Sequence, residues 1–140
     1  MIDGNALAGV SATTLWTLHN RASEARRPGG VIDDPWAVRL FDAVGYDYQK
    51  FGKPNQSHAL RARAFDAVAT DYLRAHPKAA VVALAEGLQT SFWRLDAAGA
   101  LGEATWYSVD LPAVMELREQ LLPRDHRIVD HAHAAAGLGG

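Results

Sequence analysis

Two short strand-like runs, each ending in a residue suited to contact a ligand, constrain this chain more than anything else in it. The first lies in VVALAEGLQTSFWRLD, Val81 to Asp96, and ends in an acidic, glycine-containing turn. The second lies in WYSVDLP, Trp106 to Pro112, and ends in Asp110, 23 positions after Gly87. From Ala79 to Ala85 the residues are apolar without alternation, which suits a strand buried on both faces of a parallel sheet. Ligands of such sheets bind at the carboxyl ends of the strands, where Glu86, Gly87 and Asp110 fall. Gly87 has no Cβ, so a nucleoside cofactor can lie against its backbone, and it tolerates positive φ. Asp110 can accept hydrogen bonds from two ribose hydroxyls. The same residues also fit a plain turn glycine and an aspartate capping a helix that begins at Leu111-Pro112. Ala85 and Gln89 depart from G-x-G-x-x-G, which argues against NAD or FAD.

The rest of the chain supplies helices ahead of these strands. Ser11 to Arg27 reads as a helix capped by Ser11, with Leu15, Leu18 and Ala22 at helical spacing, and Pro28-Gly29-Gly30 ends it. Asp34-Pro35 restarts the helix pattern, followed by Val38, Leu40 and Phe41. Gly45 to Pro54 reads as an aromatic, polar loop. Asn55 to Ala75 is the longest helical stretch, with Leu60, Ala64, Val68 and Leu73 on one broad side, and His76-Pro77 closes it. After the first strand come a short helix around Phe92 to Ala98, a strand over Thr105 to Val109, a helix over Leu111 to Leu122 and the start of a strand at Arg127 to Val129. Three helices followed by β-α-β-α-β predict an α/β fold: a helical cap over residues 1–77, the first half of a doubly wound parallel sheet over 78–130, and an irregular tail over 131–140.

Composition excludes several function classes. A net charge of −2 leaves no electrostatic footprint for nucleic acid. The absence of cysteine removes disulfides, thiolate zinc sites and a cysteine nucleophile. No apolar run approaches the ~18 residues of a membrane span, and the N-terminus lacks the pattern of a signal peptide, so a cytoplasmic protein is expected.

Other candidates have plainer readings beside the functional ones. Arg61 and Arg63 lie on the long helix, where one can clamp a carboxylate or both can face solvent. Tyr46, Tyr48 and His58 sit in or beside the loop before the long helix, where they can face a bound ligand or simply pack. His126, His131 and His133 lack the accompanying carboxylate motif of a known metal type, so no metal is expected. Trp16, Trp36, Trp93 and Trp106 read as core and lid packing. Arg26-Arg27 reads as a helix C-terminus complementing the dipole.

Taken in order, SATTLWTLHNRASEA, IDDPWAVRLFD, SHALRARAFD, LAEGLQTSFWRL and YSVDLPAVMELRE resemble the leucine carboxyl methyltransferase family, in its bacterial branch of polyketide-type O-methyltransferases. The resemblance runs from about Ser11 to Val129. It implies a Rossmann-like class I methyltransferase fold and S-adenosyl-L-methionine as cofactor. It implies that Arg61 binds the cofactor's methionine carboxylate, that Glu86 and Gly87 line the methionine and ribose, that Asp110 holds the ribose hydroxyls, and that Ala85 and Leu111 also contact the cofactor. The implied reaction is methyl transfer to a carboxylate or hydroxyl oxygen of a small-molecule or peptidyl acceptor, with no catalytic residue identified. Two positions depart from the family pattern: Ala85 stands where a glycine is usual, and Gln89 where an acidic residue is usual. Family members continue well beyond this length, so the chain matches an N-terminal half. An exposed, unfinished sheet edge is therefore expected, as is an inactive remnant or a half completed by a second chain.

Overall fold

The computed structural model describes residues 1–132. Its elements run β1 (Ile2–Asp3), α1 (Ala12–Arg26), α2 (Pro35–Ala43), β2 (Val44–Gly45), α3 (Ser57–Ala75), β3 (Ala80–Leu84), α4 (Ser91–Ala97), β4 (Thr105–Asp110), α5 (Pro112–Leu121) and β5 (Ile128–Ala132). A helical cap thus precedes three parallel strands in the order β3-β4-β5, the α/β arrangement expected from sequence. The 3-10 turn at Tyr48–Phe51 lies inside the stretch read as loop, and the parallel pair β1–β2 and the 3-10 turn at Gly4–Ala6 are elements the sequence reading does not assign. They are too short to carry a periodic signal.

The helix starts follow from their caps. Ser11 Oγ accepts from the Thr14 N–H at 3.3 Å, and Asp34 Oδ1 accepts from the Ala37 N–H at 2.9 Å with Pro35 at the first helical position. Asp34 is also the centre of a buried network. Its Oδ2 accepts from Thr90 Oγ1 at 2.6 Å and from Arg94 at 2.7 Å, while Arg94 Nε donates to Asp66 at 2.7 Å. One guanidinium on α4 thereby ties the start of α2 to the middle of α3. Burial pulls the Arg94 pKa down, but its bonds to Asp66 and Asp34 outweigh that and leave it raised.

The main core joins the cap to the sheet. Leu15, Leu18 and Ala22 of α1 and Ala37 and Leu40 of α2 pack with Leu88 of the loop after β3 and with Leu117 and Leu122 at α5. A second cluster sets Leu73 of α3 and Phe92 and Leu95 of α4 against Trp106 of β4, with Phe92 meeting the Trp106 ring edge-on at 5.8 Å.

Three expectations are corrected. The strand β3 is not buried on both faces: Val82 is 58% and Leu84 71% exposed, because no helix among the described residues covers that side of the sheet. Of the apolar side read on α3 only Leu73 is buried, while Leu60 and Val68 are 41% and 69% exposed; Leu73 packs inward with Ala59 and Ala62, small residues that let the helix approach its neighbours. Finally, β5 continues past Val129, since His131 and Ala132 pair with Val109 and Asp110. The remainder of the expected tail, including His133, lies outside the described residues.

Candidate functional site

All six residues singled out for cofactor contact lie on one cleft of about 360 Å³, formed by the start of α1, the flank of α3 and the carboxyl ends of β3 and β4. Arg61, Ala85, Glu86, Gly87, Asp110 and Leu111 line it together with Ser11, Thr13, Thr14 and Thr17 of α1. A second cavity of about 270 Å³ shares Arg61, Ala85, Glu86 and Gln89 and continues along β3 past Phe65 and Trp106. Arg63 lines neither cavity and is exposed.

Each residue has its own setting. Arg61 makes no hydrogen bond or ion pair among the described residues, so its guanidinium is available to a ligand anion. Asp110 is already engaged: Oδ2 accepts from the Gly87 N–H at 2.7 Å and Oδ1 from the Leu111 N–H at 2.7 Å. Each carboxylate oxygen has a second lone pair, so both bonds leave room for hydroxyl donors. Asp110 does not cap α5, whose N-cap position is Leu111 and lacks a side-chain cap bond; its carboxylate ties the turn at Gly87 instead. Leu111 sits at the N-cap position of α5 and is 38% exposed.

Ala85 and Gly87 both adopt left-handed backbone, at φ 50° and 59°. For an alanine this costs about 1–2 kcal/mol. The Ala85 N–H still donates to Val109 at 2.9 Å, so the chain leaves the sheet ladder only after this residue. A Cβ on Gly87 would meet Thr14 Cγ2 at 3.3 Å, so α1 approaches this turn as closely as glycine permits.

Glu86 turns into the protein. It is buried; Oε2 accepts from Ser108 Oγ at 2.9 Å and stands 3.3 Å from the Arg118 guanidinium. Burial pushes its carboxyl pKa up, against the pull of Arg118 and the Ser108 bond. The Trp106 indole N–H faces the same carboxylate without reaching ordinary hydrogen-bond geometry, and Glu86 Oε1 is buried without a partner among the described residues.

Sequence reasoning missed the two arginines behind the loop. Arg118 donates to the carbonyls of Gly87 and Gln89, each at 2.8 Å, and Arg21 donates to that of Leu88 at 2.7 Å. Both arginines are buried. The available signal was position: Arg21 follows Leu18 by three residues, and Arg118 follows Met115 by three, on the apolar sides of α1 and α5.

Tyr46, Tyr48 and His58 do not line the cleft. Tyr48 donates its hydroxyl to Val44 at 2.9 Å, and burial pushes its pKa up to about 12. His58 bonds Asn20 at 3.0 Å and meets the Trp16 ring edge-on, while Tyr46 packs on Phe51. No helix among the described residues is long and apolar enough to cross a membrane.

A family model described as leucine carboxyl methyltransferase matches residues 14–136. The tetracenomycin polyketide synthesis O-methyltransferase TcmP of Streptomyces glaucescens is 36% identical over 120 residues, covering 84% of this chain and 43% of that protein. A putative S-adenosyl-L-methionine-dependent methyltransferase of Mycolicibacterium gilvum is 31% identical over 133 residues, covering 82% and 43%. The S-adenosyl-L-methionine-dependent methyltransferase dpfgK of Gibberella zeae is 28% identical over 127 residues, covering 83% and 42%. The chain thus spans less than half the length of the curated relatives it matches.

Proposed function

Because this chain belongs to the leucine carboxyl methyltransferase family, we propose that its cleft binds S-adenosyl-L-methionine and serves methyl transfer to a carboxylate or hydroxyl oxygen of a small-molecule or peptidyl acceptor. The observation that carries this reading is the convergence of Arg61, Gly87 and Asp110 on one cleft at the carboxyl ends of two parallel strands. The residues present fit the cofactor's chemistry. A guanidinium without a partner among the described residues suits a carboxylate, a carboxylate with spare lone pairs suits ribose hydroxyls, and the bare turn at Gly87 admits close approach.

When bound, the cofactor supplies an electrophilic methyl group on a sulfonium centre. The chain's own residues bind and orient. Arg61 fixes one end of the ligand, Asp110 the other, and Glu86-Gly87 form the floor between them. Thr13, Thr14 and Thr17 border the cleft from the cap side. A carboxylate acceptor is already ionised at neutral pH and needs no general base, whereas a phenol or enol does.

Calorimetric titration with S-adenosylmethionine tests the reading. Saturable binding, weakened about tenfold or more in Arg61→Ala and Asp110→Ala, is expected. A folded wild-type chain that shows no binding overturns it, leaving the motifs inherited but idle as in an inactive remnant.

A second reading concerns partners. The uncovered side of β3, with Val82 and Leu84 exposed, supports a half-enzyme whose sheet is completed by further polypeptide in cis or in a second chain.

A further inference from the structure

We propose that Arg118 is the positioning residue of the cleft loop, holding Glu86, Gly87 and Gln89 from behind while Arg21 holds the intervening carbonyl of Leu88. The inference rests on the proposed function only for the ligand named in its last test, because the clamp is a feature of the ligand-free geometry.

Four consecutive residues are gripped by two guanidinium groups from different layers. On α5, Arg118 Nη1 donates to Gly87 and Gln89 at 2.8 Å each, while its Nη2 faces Glu86 at 3.3 Å. On α1, Arg21 Nη2 donates to Leu88 at 2.7 Å. The loop needs such a grip, since it carries two left-handed residues, Ala85 and Gly87, and is otherwise tied by the Gln89 to Glu86 turn bond and the Asp110 bond to Gly87. The Leu88 side chain is buried and anchors the same segment in the main core. Planar guanidinium groups suit this task because one fork can serve several oxygens in fixed geometry; an ammonium cannot.

Neither arginine is a surface charge. Burial lowers the Arg21 pKa to about 10, which still leaves it charged at neutral pH, and its one hydrogen bond among the described residues goes to a carbonyl rather than a carboxylate. The Arg118 guanidinium lies over the Trp93 ring at 5.8 Å. Around Glu86 stand Arg118 of α5, Ser108 and Trp106 of β4, Asp110 at the end of β4 and Arg21 of α1, with Arg61 of α3 on the same cleft. Among these, Arg118 is the cation closest to the buried carboxylate by contact, so it shapes the loop and opposes the burial that pushes the Glu86 pKa up.

The test uses ligand-free protein carrying carbon-labelled glutamate, with NMR titration of Glu86 and amide exchange of the loop. In Arg118→Met, the Glu86 midpoint is expected to rise by about one pH unit or more, and the Gly87 and Gln89 amides to exchange about tenfold faster. Arg118→Lys keeps the charge but not the fork. It is expected to return the Glu86 midpoint towards wild type while loop exchange stays fast, a split that a purely structural role does not produce. An unmoved Glu86 midpoint in Arg118→Met, or wild-type loop exchange in Arg118→Lys, overturns the proposal. Should Arg118→Met fail to fold, Arg118→Lys carries the test alone, with loop exchange compared against the amides of β4. In a final titration with S-adenosylmethionine, Arg118→Lys is expected to bind about tenfold more weakly than wild type; equal affinity overturns the positioning role. A wild-type chain that binds none, yet shows both NMR effects, overturns the cofactor reading and supports the clamp.

Discussion

Asp110 Oδ2 accepts a 2.7 Å hydrogen bond from the backbone N–H of Gly87, joining the ends of β3 and β4 across the floor of the cleft. The residue expected to bind a cofactor is thus also a structural tie. Asp110→Ala removes this bond and the one to Leu111, and is expected to cost about 2 kcal/mol in the absence of any ligand. Asp110→Asn keeps one amide oxygen and is expected to lose less. Urea unfolding of both variants checks the order. Equal stability of all three proteins would show that the tie contributes nothing.

Ala85 presents the opposite case, a residue that strains its own backbone at φ 50°. Ala85→Gly removes a left-handed alanine penalty of about 1–2 kcal/mol, offset in part by the extra freedom glycine gains in the unfolded chain. A net gain of up to about 1 kcal/mol is expected, seen as a higher urea midpoint at unchanged slope. A lower midpoint refutes the strain argument. A higher midpoint makes the alanine at this position a destabilising feature of the site rather than a neutral change.

Much of the site was legible because it obeys short-range rules. Gly87 and Asp110 follow strands, so their edge position came with the strand reading. The caps at Ser11 and Asp34 came from local side-chain chemistry. What sequence did not disclose was long-range. Arg94 meets Asp34 across 60 positions, Arg118 meets Gly87 across 31 and Arg21 meets Leu88 across 67, and no periodicity announces a buried arginine. The orientation of α3 was misread for a related reason. Apolar spacing identifies a face but not its neighbour, and here Leu60 and Val68 remain exposed while Leu73 packs inward with Ala59 and Ala62.

The Asp34–Arg94–Asp66 network gives a larger effect. The Arg94 and Asp34 side chains are 6% and 1% exposed, at 2.7 Å. Arg94→Met leaves Asp34 charged, buried and without its cation. A loss of about 3–5 kcal/mol is expected in chemical unfolding. The double variant Arg94→Met with Asp34→Asn should recover part of that loss, since no uncompensated charge remains. A double variant weaker than the sum of the two single changes refutes the pairing.

Glu24 sets a dependence on acid. Its carboxylate accepts from Arg27, from the Val31 N–H and from Gln56, and these bonds, Arg27 first, hold its pKa down to about 2 from 4.5. A depressed folded pKa means that its stabilisation is complete above 4.5 and is lost as pH falls towards 2. Glu24→Gln should therefore flatten the fall in melting temperature between pH 4.5 and pH 2. A wild-type slope in the variant overturns the assignment.

The uncovered sheet face makes the last prediction. Alternation along the strands places Val82 beside Tyr107 and Val129, and Leu84 beside Val109, on the side away from α4 and Trp106. Val82 and Leu84 expose most of their surface, and β3 and β5 each have one unpaired edge among the described residues. Apolar surface next to open strand edges promotes association between copies or with any polypeptide that supplies further strands. Sedimentation velocity on the 140-residue chain is expected to show concentration-dependent association. Val82→Lys with Leu84→Lys should suppress it without lowering stability, because neither side chain contributes to the core. A chain that stays monomeric at high concentration would show that this face does not drive assembly.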